Sequence, residues 1–404
     1  MSEGGFGIIY QAIWLVNNET VILKIFENSN NYSKYFINEL KSFQHYSGLD
    51  HEYIIKYYGF TKELELNDYI LVMKYASEGD LHKYLRNNFT KITWNKQKLH
   101  ILWQISKGLE TIHNKNFIHR DFHSGNILFD YSSKEECLDK QWKITDLGLS
   151  HIYIYIYIYI YIAVNNQSSN NEIYGVIPYI APEIFKGAEF SKEADIYSFG
   201  MIMWELTTSC KPFDDVKHDI HLIYKFLDGK RPEITKDTPQ CYANLMKSCW
   251  DHDPKKRPSI KKIRNTFGGW FFRNKCKAEF DQAEAIRMTL INSKKIGPEF
   301  SEKRHSEAIY TSRPLSALIS KCSSIYSSLS FSCDDEQDHN YKYISKEQEL
   351  DIDLKSLPSQ ILSSAIKNFS TSLKKRSNEV FLNAEIRGNY VGKRLRLAND
   401  RQNK

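Results

Sequence analysis

The sequence predicts an α+β fold over its first two thirds, followed by a long tail of different character. Three observations carry that expectation. Near the start, the short apolar runs "TVILKIF" (Thr20 to Phe26) and "YILVMKY" (Tyr69 to Tyr75) read as buried strands. Further along, "KQKLHILWQISKGLETIHN" has the apolar spacing of a core helix and "DIYSFGMIMWELTT" is apolar nearly all round, which marks a buried helix. After Phe267 the composition shifts: 301–332 is rich in serine, "CDDEQDHN" is acidic, and the last residues are basic.

In chain order, "SEGGFGIIY" is a glycine-rich turn running into a short strand, and Lys24 lies inside the next strand. "YSKYFINELKSFQHY" then reads as an amphipathic helix that carries Glu39. In the tail, short helices are expected around 277–293 and 359–373, with the rest flexible.

Composition excludes several classes of protein. Of 404 residues, 41% are hydrophobic and 26% charged, which fits a globular chain rather than a fibrous or wholly disordered one. Seven cysteines form no CxxC pair, so reduced thiols and a cytoplasmic setting are expected, with the nucleus as the other compartment they allow. The start shows no secretory signal, and the one long uncharged apolar run falls short of the ~20 residues of a spanning helix. The net charge of +6 resides in the basic end. A solvated tail is the plainer reading of it, and no nucleic-acid partner is expected.

The residues that carry chemistry follow in order. A glycine turn lets backbone approach phosphates closely, where any Cβ would collide. Glu39, fifteen residues after Lys24, is placed to hold the lysine's ammonium, although taken alone each reads as a surface charge. "IHRDFHSGNIL" is more specific. Asp121 supplies a carboxylate to orient a hydroxyl, and Asn126, five residues on, supplies an amide oxygen for a divalent ion. "ITDLGLS" adds Asp146 as a second metal-binding group on a turn that Gly148 makes possible. "YIAPEI" brings Glu183, and "CWDHDPKKRPS" places Arg257 where it can pair with that glutamate in the interior.

This ordered set resembles the protein-kinase family, from Met1 to about Phe267. "HRDFHSGNIL", "DLG", "YGVIPYIAPE" and "SFGMIMWELTT" look like tyrosine-kinase-like (TKL) kinases of the kind expanded in some fungi. The resemblance implies a two-lobed kinase fold: a small β-rich N-lobe over 1–75, a hinge and large helical C-lobe over 76–267, and a largely disordered tail over 268–404. It implies ATP and Mg²⁺ as cofactors and a protein as substrate. Gly4, Gly7 and Ile9 would lie over the nucleotide, Lys24 would grip its α and β phosphates, and Glu39 would steady Lys24. Met73 would be the gatekeeper, with Tyr75 and Ala76 offering hinge backbone to adenine. Asp121 would be the catalytic base, and Asn126 with Asp146 would hold Mg²⁺. His119, Leu147 and Asp195 would be internal struts. The function implied is phosphorylation of protein hydroxyls in signal transduction. The alternative is a kinase-like scaffold that binds without turnover, or the inactive product of a damaged gene.

Four departures from the pattern stand out. Ser2 replaces the first glycine of the loop directly after Met1, so the first strand of the hairpin is expected to be missing. Ile22 stands where a smaller alanine is usual beside adenine. His123 and Val176 match neither the serine/threonine nor the tyrosine pattern, and overall likeness favours serine/threonine. Finally, "HIYIYIYIYIYIAV" puts an Ile-Tyr repeat, 152–162, inside the activation loop. As a strand it would be apolar on both faces and prone to aggregate unless covered. Ile and Tyr alternate as the codons ATA and TAT would, so the repeat looks like a translated AT tract in an imperfect gene model. A genuine insertion is the other reading.

Overall fold

The computed structural model describes residues 2–4, 7–15, 18–26, 39, 52–62, 68–130, 141–147, 151–152, 173–297, 304–329 and 386–387. The helix expected around Glu39, most of the Ile-Tyr repeat and the helix expected over 359–373 lie outside these residues, although Glu39 itself is helical.

Among the described residues, five strands build the first lobe: β1 (Ser2–Gly4), β2 (Gly7–Trp14), β3 (Glu19–Phe26), β4 (Tyr57–Lys62) and β5 (Tyr69–Lys74). They form an antiparallel sheet in the order β1-β2-β3-β5-β4, and 386–387 add a short strand against β2. One expectation is corrected here. The first strand of the hairpin is present, because Ser2 to Gly4 is long enough to pair, with Ser2 opposite Ile9 and Gly4 opposite Gly7.

Side chains alternate across β3 with the period of two that a pleated strand imposes. Val21, Leu23 and Ile25 join Ala12 and Ile70 in a small core on one face. Ile22 and Phe26 pack on the other face against the large core of the molecule, so Lys24, between them, projects toward the cleft. Burying an ammonium on that face requires anionic partners, which the site supplies.

Below the sheet the chain turns at Gly79, and Asp80 caps α1 (Leu81–Asn87) by accepting from the Lys83 N–H at 2.9 Å. Residues 94–98 wind as one wide turn into α2 (Leu99–Asn114), which packs along α7 (Ile260–Arg273). The short strands β6 (Phe117–Ile118), β7 (Ile127–Asp130), β8 (Gln141–Ile144) and β9 (His151–Ile152) pair as β6-β9 and β7-β8. Next come β10 (Tyr174–Gly175), α3 (Pro182–Phe185), α4 (Lys192–Thr208), α5 (Ile220–Leu227) and α6 (Gln240–Cys249). Helix α4 is buried from Ala194 to Thr207 except at the half-buried Trp204, as its apolar sequence requires.

The chain continues in order beyond 267. Helix α8 (Lys277–Asn292) buries Phe280, Ala283 and Arg287 against the second lobe. Its Glu284 accepts from the Trp94 N–H at 2.8 Å, and its Asp281 from Asn95 Nδ2 at 2.7 Å. Residues 304–329 correct the expectation of a flexible serine-rich stretch. They contain β11 (Arg313–Pro314), which pairs with β10, and α9 (Ser316–Leu329), which packs against α3 and α5 with Leu315, Ile319 and Cys322 buried. Burial of those three apolar side chains offsets the ordering cost that the polar composition suggested could not be met.

Candidate active site

Lys24 Nζ lies 2.7 Å from Asp146 Oδ1 and 3.3 Å from Glu39 Oε2. The lysine and Glu39 are almost fully buried, and the Asp146 side chain is 28% exposed. Tyr57 donates its hydroxyl to the other Glu39 oxygen at 3.3 Å. Burial by itself would lower the Lys24 pKa, but Asp146 and Glu39 outweigh it and hold the ammonium above its ordinary value. Burial pushes the Glu39 carboxyl up, against the pull of Lys24. Asp146 is also desolvated, yet Lys24 outweighs that effect and holds it below the usual carboxylate range. Asp146 is the closest counter-ion of the ammonium.

The loop before Asp121 is held from beneath. Asp195, in the first turn of α4, accepts from the backbone N–H of His119 at 2.8 Å and of Arg120 at 3.0 Å, and lies 2.9 Å from His113 Nε2. Arg120 sits at φ +71°, a conformation that side chains adopt rarely, and this clamp holds it there. His119 Nε2 donates to the Thr145 carbonyl at 3.1 Å, and the Thr145 N–H donates to the Asn126 carbonyl at 3.0 Å. These bonds tie the segment carrying Asp121 and Asn126 to the one carrying Asp146, which itself sits at φ +59°.

Asn126 Nδ2 donates to the Asp121 carbonyl at 2.9 Å, which leaves Oδ1 as its available acceptor. His123 Nδ1 accepts from the Gly125 N–H at 3.1 Å, so a neutral ring carries its proton on Nε2, 3.6 Å from Asp121 Oδ2. That separation exceeds a normal hydrogen bond and makes His123 an electrostatic neighbour of the carboxylate.

Above the cleft, Gly4 and Gly7 face each other across the hairpin, and Ile9 is half-buried opposite Lys24. Gly7 is required by its neighbouring strand, since a Cβ there would meet the Ile25 carbonyl oxygen at 2.4 Å. Met73, buried at the end of β5, pairs with Ile22 and Tyr57. Ala76 is buried and Tyr75 half-buried just beyond it. Lys74 Nζ reaches Asp130 at 2.8 Å, joining the sheet to β7. In the second lobe Arg257 grips Glu183 with two bonds of 2.6 and 2.7 Å, the pairing expected from the sequence.

Lys24, Glu39 and Asp146 thus meet directly, and backbone bonds link Asp121 and Asn126 to them. The residues that sequence reasoning missed are Tyr57, Thr145 and the Tyr179–Glu205–His82 chain, in which each contact to Glu205 is 2.7 Å. None of these stands in a motif that its own chemistry would single out. The donor set fits a nucleotide with a hard divalent ion: a carboxylate and an amide oxygen suit Mg²⁺, and a fixed ammonium suits phosphate.

An antiparallel sheet hinged to a helical lobe, with a buried Lys–Glu–Asp cluster in the cleft, defines a phosphotransferase domain of two lobes. The chain belongs to the protein tyrosine and serine/threonine kinase family, whose model matches residues 1–267. It is 30% identical over 269 residues to mitogen-activated protein kinase kinase kinase 7 of Homo sapiens, covering 65% of this chain and 39% of that one. It is 28% identical over 279 residues to the dual specificity protein kinase splA of Dictyostelium discoideum, covering 65% and 11%. With the probable serine/threonine-protein kinase pats1 of the same organism it shares 29% over 279 residues, covering 66% and 8%. The chain thus spans about two fifths or less of the length of these relatives. They agree with the tyrosine-kinase-like resemblance read from the motifs. Among the described residues no helix is long and apolar enough to cross a membrane.

Proposed function

We propose that this chain uses Mg²⁺-ATP to phosphorylate protein hydroxyls, serine and threonine in preference to tyrosine, in intracellular signalling. The observation that carries this reading is the buried Lys24 ammonium bracketed by Glu39 and Asp146, with Asp121 and Asn126 bonded into the same network. The names of the relatives, serine/threonine and dual-specificity kinases, support the choice of hydroxyl. The cytoplasm is the proposed compartment, in keeping with the free thiols of Cys241, Cys249, Cys276 and Cys322.

When bound, Mg²⁺-ATP supplies the transferable γ-phosphoryl group and the charge that neutralises it in a loose transition state. Asn126 Oδ1 and the Asp146 carboxylate would hold the ion. Lys24, with its two carboxylates beside it, would bind the phosphates, and Glu39 with Tyr57 behind it would keep it in place. The β1–β2 hairpin with Gly4, Gly7 and Ile9 would cover the nucleotide, and Met73, Tyr75 and Ala76 would border the adenine. Asp121 orients the acceptor hydroxyl and takes its proton, with His123 beside it. Positioning and electrostatics on fixed elements do most of this work.

The test is Asp146→Ala. The variant is expected to keep a cooperative thermal transition and to lose ATP-dependent phosphate transfer to a generic protein substrate. Retained transfer would overturn the assignment.

A further inference from the structure

We propose that Cys241, Cys276 and Glu279 bind a zinc ion that clamps the start of α8 to the start of α6. None of the three belongs to the cleft, and the inference stands apart from the kinase reading. Cys241 lies in the first turn of α6, Cys276 caps the start of α8, and Glu279 follows in the first turn of that helix. One ligand atom from each, two sulfurs and a carboxylate oxygen, lie within 4.8 Å of one another. Among the described residues, this is the one place where three histidine, cysteine or carboxylate ligands converge so closely.

The local structure builds this convergence. Cys276 and Glu279 are three residues apart where the helix begins, with the Glu279 N–H donating to the Cys276 carbonyl at 3.0 Å, and that spacing puts both on one face. The neighbours of the ligands are pinned. Tyr242, beside Cys241, is fully buried and donates its hydroxyl to the Met203 carbonyl at 2.7 Å. Phe280, beside Glu279, is buried with its ring 5.4 Å from that of Trp270. Glu279 Oε2 then accepts from the Cys241 N–H at 2.8 Å, which joins the two turns and orients the carboxylate, as bonds from outside a metal's own ligands do.

The donor set selects the metal. Two thiolates and a carboxylate suit zinc, whereas the cleft offers only oxygens, which suit Mg²⁺. Tetrahedral zinc, with bonds of about 2.3 Å to sulfur and about 2.1 Å to oxygen, sets its ligand atoms roughly 3.6–3.8 Å apart. Small side-chain rotations close the cluster to that size. Cys276 is exposed while Cys241 and Glu279 are half-buried, so an ion has a way in and a water can complete the fourth position.

On binding, the two thiols give up their protons to solvent and both sulfurs and the carboxylate bond to the ion. Three anions and Zn²⁺ leave one negative charge, next in the chain to Lys275 and Lys277. The consequence falls on α8, which lies beyond the 1–267 kinase match. Glu284 and Asp281 already tie it to Trp94 and Asn95, and zinc adds a second attachment at its start.

The experiment titrates the full chain, reduced and without nucleotide, with Zn²⁺ and separately with Co²⁺, and follows amide hydrogen exchange over 277–292. Tight zinc binding is expected in the parent, weakened about a hundredfold or more by Cys241→Ser or Cys276→Ser and about tenfold or more by Glu279→Gln. Bound Co²⁺ should show the near-ultraviolet charge-transfer band of thiolate ligation and lose most of it in Cys276→Ser. Zinc should slow exchange over 277–292 in the parent but not in Cys276→Ser. Because Cys276 is exposed and a glutamine at 279 can still accept from the Cys241 N–H, Cys276→Ser and Glu279→Gln should match the parent's urea midpoint without metal, which separates lost binding from lost folding. A parent that takes up no zinc, including one that forms a Cys241–Cys276 disulfide in air instead, overturns the proposal. So does binding that survives unchanged in Cys276→Ser and Glu279→Gln, or exchange over 277–292 that zinc leaves unaltered.

Discussion

Replacing Arg257 by alanine is expected to be among the most damaging changes available outside the cleft. The guanidinium side chain is fully buried and makes four contacts. Two bonds of 2.6 and 2.7 Å reach the Glu183 carboxylate, Nε donates to the Asp251 carbonyl at 2.9 Å, and Nη1 donates to the Glu193 carbonyl at 3.0 Å. The Tyr197 ring lies 5.3 Å from its centre. Truncation leaves a carboxylate that is only 15% exposed without its partner. Breaking such a buried pair from one side costs about 3–5 kcal/mol. The orphaned carbonyls overlap with that figure because water can enter part of the gap. A loss of about 4 kcal/mol is a large part of the ~5–15 kcal/mol that holds a typical domain together. At roughly 2–4 °C per kcal/mol, the thermal midpoint should fall by about 8–16 °C. The assay is thermal and urea unfolding of Arg257→Ala, Glu183→Ala and the double variant. Because the two side chains share one interaction, the double variant should be much less destabilised than the sum of the singles. A fall of less than about 2 °C in Arg257→Ala, or additive losses in the cycle, would refute the reasoning.

Two further outcomes are expected. Asp195→Asn keeps the shape of the clamp but can accept with only one oxygen, so one of the His119 and Arg120 N–H bonds weakens. Turnover should fall well over tenfold while the KM for ATP changes little; an unchanged kcat would show that the loop before Asp121 holds itself. Lys98 is buried against Trp94, 4.1 Å from the ring centre, and donates to the Thr207 carbonyl at 3.4 Å. Burial, with Arg287 adding to it, pushes its pKa down to about 7. Between that value and the ordinary 10.5 the unfolded chain binds the proton and the folded one does not. Stability from this group is therefore complete above the unfolded value and is lost as pH falls toward 7, with a slope of at most about 1.4 kcal/mol per pH unit. Lys98→Met should flatten the rise in urea midpoint from neutral to alkaline pH relative to the parent; parallel curves would show that Lys98 does not titrate this way.

What the sequence made legible follows from how tightly chemistry fixes spacing. Asp121 and Asn126 were legible because their five-residue spacing puts both on one short loop, where Asn126 Nδ2 bonds the Asp121 carbonyl. The buried strand around Lys24 is legible because two-residue alternation leaves only one cleft-facing position between Ile22 and Phe26. Tyr57 and Thr145 were not legible, since a hydroxyl in a strand and a backbone carbonyl carry no motif. The stretch after 300 was misread for a different reason. Its many serines suggested flexibility, yet Leu315, Ile319 and Cys322 recur at helical spacing and form the stripe that the second lobe covers. Three buried side chains outweighed the bulk composition. The hairpin's first strand was judged by length, whereas three paired residues suffice to close it. Gly7 was read as room for phosphate, while the backbone of Ile25 is what forbids a side chain there.

The central claim is that this cleft transfers phosphate from ATP to a protein hydroxyl with Asp121 at the acceptor. Its most direct test is a side-by-side measurement of labelled γ-phosphate transfer to myelin basic protein by the purified chain and by Asp121→Asn, with nucleotide affinity measured on both. Transfer by the parent is expected, with a loss of about a hundredfold or more in the variant and nucleotide affinities within a few-fold of each other. Equal transfer by both proteins, or none by a parent that binds Mg²⁺-ATP, would contradict it.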